Sequence, residues 1–379
     1  MKKIIAFFVA VILIGNLAGC GVNSGKTNTG NNSTDNKTVN NNSKSENSSN
    51  NTQNSSGNKE NTEPKANLGT IEEYYPLKKN VHYIYEGAGN EFASYDLYND
   101  YISGQKVQQR MNNGGTTKVN VMELSGGKLT KVYTRGEAYY RENLLNQKSE
   151  KIEVLLMEPL IKGTTWKLND GGKRTITDTA AEVTTPTGNY KALEVTTESS
   201  KDKTIDYYAK NVGLVKSVFV FGETQITSTL TKIEENVPLV QNINFFYPNI
   251  NDKKIYYKRM PISFYTNEIT RKVIAEAYKK PVNNQLGAVF SKNTEINSLY
   301  LNRDGKVYID LNQAFMKEMN AGAGYEAMIL QSVVNTIGQY YQVDKVYLTI
   351  DNKPNESGHI LMGKGEYFKV QTQNSIEIK

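Results

Sequence analysis

The chain is 379 residues long, with a formal charge of +6, one cysteine and two histidines. A single cysteine excludes an internal disulfide framework, and two histidines exclude a multi-histidine metal centre within one chain, so no metal site is expected. The basic residues form no clustered stripe of the kind that marks a nucleic-acid binder, so nucleic acid is not an expected partner.

Lys2 and Lys3 precede an apolar run over 4–14, which leads to Leu17-Ala18-Gly19-Cys20. A charged start, a short apolar middle and a small-residue site predict a secretion signal over 1–19. The run is shorter than the roughly 20 apolar residues a membrane-spanning helix needs. Leu-Ala-Gly-Cys resembles the lipobox of bacterial lipoproteins, which implies cleavage before Cys20 and a diacylglyceryl group on its sulfur. Two acyl chains suffice for a stable anchor where one holds only marginally. The expected location is therefore the extracytoplasmic face of the cell membrane, with the membrane itself a partner through Cys20.

Residues 20–70 are dominated by Asn, Ser, Thr, Gly, Lys and Glu. Such a segment buries too little apolar surface to offset ordering and reads as a lipid-anchored, disordered linker with a reach of ~35–40 Å.

Over 71–236 the pattern is β. Short alternating or β-branched runs occur at 81–85, 119–124, 129–133, 174–179, 190–197, 205–209, 214–221 and 225–233. Ser125-Gly126-Gly127-Lys128 reads as a hairpin turn. Residues 152–161, interrupted by Pro159, read as helical or irregular. About ten strands nearly without helices predict one strongly curved antiparallel sheet or a sandwich. Tyr75-Pro76-Leu77 with Tyr83-Ile84-Tyr85, then Thr185-Pro186-Thr187-Gly188-Asn189-Tyr190, then Tyr207-Tyr208-Ala209 with Val212-Gly213-Leu214-Val215-Lys216 resemble a recurrent, uncharacterised domain of Gram-positive lipoproteins. The apolar side of the sheet reads as core; the alternative is a concave face that cradles a ligand.

Over 237–379 strands alternate with helices. Strands are predicted at 243–247 and 254–259, then a helix capped by Thr266 or Asn267, with Glu268 in its first turn and Pro281 at its end. Strands at 296–301 and 306–311 are joined through Asn302-Arg303-Asp304-Gly305, a tight-turn signal. Ala327, Leu330, Val333, Val334, Ile337 and Tyr341 form an apolar stripe over 324–341, with Gln331, Asn335 and Gln339 off it. A strand over 345–350 follows. The order β-β-α-β-β-α-β predicts helices on one face of a small mixed sheet, and the fold class is α+β overall.

Several of these segments resemble the GerMN domain family. They are the stretch ending Phe245-Phe246-Tyr247-Pro248, the run from Tyr300 through Asp310-Leu311-Asn312, Val333-Val334-Asn335-Thr336-Ile337, and Val343 onward to Asp351 and Gly358-His359. The resemblance covers about 241–370. It departs at 277–281, where the family's glycine is missing from Ala277-Tyr278-Lys279-Lys280-Pro281, and it supplies one such domain beside an unrelated β region. It implies an α/β domain akin to the ring-building modules of secretion and sporulation assemblies, working by protein contact. Self-association is a further expectation of that kinship.

Asp310 ends a strand and Asn312 is placed to cap the turn at 313–319, both structural tasks. Asn335 and Thr336, poor helix formers in mid-helix, point to a specific hydrogen bond or an exposed contact surface, the structural reading coming first. These four and Asp351 are the candidate partner-binding residues. Neither Glu72-Glu73 nor Glu234-Glu235 forms a carboxylate dyad, because adjacent strand residues point apart. His359 reads as an exposed loop residue in a glycine-rich segment. No nucleophile, metalloprotease or phosphate-loop motif is present, so no enzyme activity and no cofactor are expected. The expected function is a non-enzymatic surface lipoprotein that makes protein contacts in a cell-envelope, sporulation or germination complex. The alternative is an extracytoplasmic ligand-binding lipoprotein that holds a lipid or wall glycan on the curved sheet.

Overall fold

The structure, a computed structural model, describes residues 69–378 apart from 281, 284, 285, 357 and 358. Cys20, the signal segment and the linker lie outside the described residues, as do Pro281 and Gly358. The described residues fall within one compact unit.

Helix α1 (Ile71–Tyr74) precedes β1 (Val81–Ala88), β2 (Tyr95–Ser103), β3 (Lys106–Asn112), β4 (Thr117–Ser125), β5 (Lys128–Arg135) and β6 (Glu153–Met157). Then come β7 (Thr165–Lys167), β8 (Lys173–Thr185), β9 (Gly188–Glu198), β10 (Asp202–Ala209), β11 (Gly213–Phe221) and β12 (Thr224–Glu235). They form one 12-stranded sheet in the order β6-β5-β4-β3-β2-β1-β12-β11-β10-β9-β8-β7. Every pairing is antiparallel, and β12 returns to lie beside β1. The β4–β5 turn places Gly126 and Gly127 at φ +58° and +67°, the left-handed pair that a two-residue hairpin requires.

The sheet curls until its two edges meet. Edge strand β6 offers the Val154 carbonyl, which accepts from the Trp166 indole N–H at 3.0 Å and from the Arg174 guanidinium at 2.6 Å. Arg174 also reaches Glu153 at 2.8 Å. Side chains thus close a near-barrel where backbone pairing stops, which protects both edges from pairing with another chain. This corrects the expectation at 152–161. Residues 153–157 pair with β5 as a strand, because Val154 and Leu156 alternate into the sheet, and Pro159 only ends it. Inside the barrel, α1 contributes Ile71 and Tyr74 to a core with Val107, Leu129, Leu156 and Leu193.

The C-terminal part runs β13 (Leu239–Asn249), β14 (Lys254–Phe264), α2 (Thr270–Tyr278), β15 (Ile296–Leu301), β16 (Val307–Leu311), α3 (Ala314–Lys317) and α4 (Ala323–Tyr341). It ends with β17 (Lys345–Ile350), β18 (Lys353–Pro354), β19 (Phe368–Lys369) and β20 (Ile376–Glu377). Two sheets are present where one was expected. The hairpin β13–β14 pairs with β20, while β15, β16, β17 and β18 form a separate mixed sheet with β19 at its side. Phe245, Phe264, Ile274, Leu311, Val333 and Leu348 belong to the one core that α2 and α4 share with both sheets. Helix α2 begins at Thr270, later than expected. Thr266 and Asn267 are diverted to the barrel: the Thr266 hydroxyl donates to the Asn99 carbonyl, and Asn267 exchanges bonds with the backbone of Ile102.

Arg141 fastens the barrel to this part. Its side chain is fully buried and donates to the Asp100 carbonyl at 2.7 Å, the Tyr101 hydroxyl at 2.9 Å and the Tyr265 carbonyl at 3.0 Å, as well as to the Glu268 carbonyl. Its guanidinium lies 4.2 Å from the Tyr101 ring centroid and 3.5 Å from the Asp100 carboxylate, which also pairs with Arg110 at 3.0 Å.

Candidate functional site

In the β15–β17 sheet, alternate residues face opposite ways. Leu299, Ile309 and Leu348 point to the core that α4 covers, while Tyr300, Tyr308 and Tyr347 lie in register on the other face. Their rings run across three strands with centroids 5.5 Å and 4.9 Å apart. Tyr300 is exposed, and Lys345 sits over the Tyr367 ring beside the row.

Asp310 lies on this face, but both its carboxylate oxygens are engaged within the fold. Its carboxylate accepts from the Thr349 hydroxyl at 2.6 Å, the Asn352 N–H at 2.7 Å and the Asn297 amide at 2.8 Å. Asn352 is half of the turn after β17, where Asp351 and Asn352 both have positive φ, so Asp310 holds that turn closed. Exposed Asp351 joins through Asn297 at 3.3 Å. Asn312 does not cap α3. Its side chain accepts from the Glu295 N–H and donates to the Asn293 carbonyl, fixing the approach to β15.

Asn335 and Thr336 stand apart from this group, and both are fully buried. The Thr336 hydroxyl oxygen accepts from the Phe246 N–H at 2.9 Å and bonds the Tyr278 hydroxyl. Asn335 accepts from the Gln371 N–H at 2.8 Å and donates to the Gln371 carbonyl at 2.7 Å. The C-terminal segment therefore covers Asn335, while β13 and α2 enclose Thr336, so neither side chain reaches the surface. His359 is half-exposed and pairs at 2.9 Å with Glu326, a buried carboxylate in the first turn of α4.

The barrel holds a second candidate site. A cavity of about 170 Å³ opens between Tyr75 and strands β1–β4 and β11, walled by tyrosine, leucine and methionine. At one side a polar chain is complete: Tyr75 donates to Gln109, Gln109 to Asn99 at 3.0 Å, and Asn99 to the Lys78 carbonyl at 2.7 Å. Tyr85 donates to the Leu214 carbonyl at 2.7 Å and stacks on Tyr95. Burial pushes the Tyr83 hydroxyl up to about 12, with Glu235 adding to the rise. Burial, then the Asp206 charge, raises both Tyr95 and Tyr208. Asp206 is itself raised by burial, and Ser217 donates to it at 2.6 Å.

Between the barrel and the start of β13 lies a cleft of about 390 Å³. There His82 bonds Asp96 at 2.7 Å, with Glu234 3.5 Å from its other nitrogen. The Asp96 bond is the main cause of its raised pKa. Among the described residues no group of three or more His, Cys, Asp or Glu is placed to hold a metal ion, and no helix is long and apolar enough to cross a membrane.

The family profile that matches this chain is Germane, described as sporulation and spore germination, over residues 244–356. The C-terminal region is Germane-like. Among solved structures, the tandem GerMN domains of the sporulation protein GerM from Bacillus subtilis align at 18% identity and TM-score 0.27. That alignment covers 34% of this chain and 46% of GerM's, so the chain spans about half the length of that relative. The first GerMN domain of the same protein aligns at 19% identity and TM-score 0.26, over 33% of this chain and 94% of the domain. A Bacteroides fragilis protein with a YmcC-like fold aligns at 12% identity and TM-score 0.27, over 42% of this chain and 98% of its own. No curated protein matches the sequence. Tyr75, Tyr83, Tyr85 and Tyr208 lie in motifs the sequence shows, but their gathering around one cavity with Tyr95, and the role of Arg141, escaped the sequence reading. The alternation of Tyr83, Tyr85, Tyr95 and Leu97 signals an inward face, but nothing local signals that the face encloses a cavity.

Proposed function

We propose that this protein is a non-enzymatic lipoprotein, held on the extracytoplasmic face of the membrane by a lipid on Cys20. In this reading its Germane-like region makes protein contacts in a cell-envelope or sporulation complex. The match of residues 244–356 to a family described as sporulation and spore germination carries the reading. The open face of the β15–β17 sheet is the surface on which such contacts would form. Its tyrosine row presents large, rigid, amphipathic side chains, the type enriched where proteins meet.

Proximity labelling from the C-terminus in sporulating cells tests the proposal. It should enrich envelope-complex proteins, and Tyr300→Ser with Tyr308→Ser should remove that enrichment while the protein stays folded. A labelled set equal to that of an inert tethered control would overturn it. Cys20→Ala should shift the protein out of the membrane fraction, and an unchanged distribution would refute the anchor.

A further inference from the structure

We propose that the barrel lumen is a binding site for a small uncharged amphiphile, one aromatic ring or short alkyl chain bearing a hydroxyl. Its polar end would exchange hydrogen bonds with the inward hydroxyls of Tyr208, Tyr95 and Tyr83. The cavity sets the size. At about 170 Å³ it is close to the roughly 150 Å³ of an engineered apolar cavity that takes up benzene, too small for a whole lipid and large enough for one ring.

The lining sets the charge. Only tyrosine, asparagine, glutamine and apolar residues touch the cavity, so an ion entering it would lose its hydration without gaining a counter-charge.

The hydroxyls set the polarity. Tyr75 and Tyr85 have partners, but Tyr83, Tyr95 and Tyr208 form no hydrogen bond among the described residues. Tyr208 is only 4% exposed and Tyr83 only 6%. The hydroxyl oxygens are not fully enclosed: each keeps accessible surface in the open cavity, where a ligand hydroxyl can take the place of water. The phenols converge: Tyr75, Tyr83, Tyr85, Tyr95 and Tyr208 all line this one cavity. This goes beyond the contact role of the C-terminal region and does not depend on it.

The test is ligand-detected NMR titration of the full chain carrying Cys20→Ala with three probes of near-equal shape: p-cresol, toluene and benzoate. A single added hydrogen bond corresponds to about tenfold in affinity, so p-cresol should bind about tenfold tighter than toluene, with benzoate weakest. Tyr208→Phe should shrink the p-cresol advantage to about threefold or less while toluene is unchanged. Met122→Trp, which fills the lumen, should abolish binding of p-cresol and toluene alike. No binding of p-cresol, equal binding of p-cresol and toluene, or benzoate binding as tight as p-cresol would each overturn the proposal. So would p-cresol binding that survives Met122→Trp. Should Met122→Trp not fold, the Tyr208→Phe ratio decides alone: an unchanged ratio refutes the site.

Discussion

Replacing Arg141 with methionine keeps the length and apolar stem of the side chain and removes its charge and donors. The loss is not simply that of an ion pair, because Asp100 retains Arg110 at 3.0 Å. What is lost is a set of donated bonds: the Glu268 carbonyl is stranded, while the Asp100 and Tyr265 carbonyls lose Arg141 but keep the N–H groups of Asn267 at 3.0 Å and Glu268 at 3.1 Å. The stranded carbonyl costs about 1–3 kcal/mol, and each of the other lost hydrogen bonds about 0.5–1.5 kcal/mol. About 4 kcal/mol is the consistent figure, and at roughly 2 °C per kcal/mol for a large unit the midpoint should fall by about 8 °C. The substitution should also uncouple the two parts. The single tryptophan, Trp166, lies in the barrel, whereas α2 and α4, which dominate the helical signal, lie in the C-terminal region. Tryptophan fluorescence and far-ultraviolet ellipticity therefore follow the two parts separately. Their melting curves should coincide in the wild type and separate in Arg141→Met. Curves that stay superimposed, with a midpoint within about 2 °C of wild type, would show that Arg141 does not join the parts.

Asp310→Ala should cost about 2–4 kcal/mol and expose the Asn352 amide to hydrogen exchange, while Asp351→Ala should stay within about 0.5 kcal/mol; equal effects would refute the assignment of the turn to Asp310. Thr336→Val, nearly isosteric, should cost about 1–3 kcal/mol by thermal melting because it leaves the buried Phe246 N–H unpaired, and a neutral result would count against that bond. His82 is raised in the fold, chiefly by its bond to Asp96, so its stabilising contribution is complete below the ordinary histidine pKa of about 6.5 and is lost as pH rises through the higher folded value. Denaturation of wild type and His82→Gln should therefore differ most in mildly acidic buffer and converge at higher pH; a difference constant across that range would sink the linkage.

Periodicity made the strands and the two main helices legible, because alternation and a 3.6-residue stripe are local properties of the chain. The same local logic misplaced Asn335. By helical spacing it lies on the polar side of α4, and only the return of residues 368–371 over that side buries it. Gly338 shows why that return is tight: a Cβ there would sit 2.1 Å from Val370. Thr266 and Asn267 have the chemistry of helix caps, yet their polar groups are claimed by Asn99 and Ile102 of the barrel, so α2 starts at Thr270. Asp310 was recognisable as a residue with a polar task, but the sequence does not show that both its carboxylate oxygens are engaged within the fold. The lumen follows the same rule in reverse. Tyr208 has the alternation of an ordinary inward strand residue, and what distinguishes it is the lack of a hydrogen-bond partner for its hydroxyl among the described residues, which depends on how strands as far apart in the chain as β1 and β11 leave one volume unfilled. Packing that adds a partner converts a candidate contact residue into a structural one, and packing that leaves a gap converts a core residue into a candidate ligand contact. Both operate between segments far apart in the chain, which is why the elements could be read from the sequence and the two sites could not.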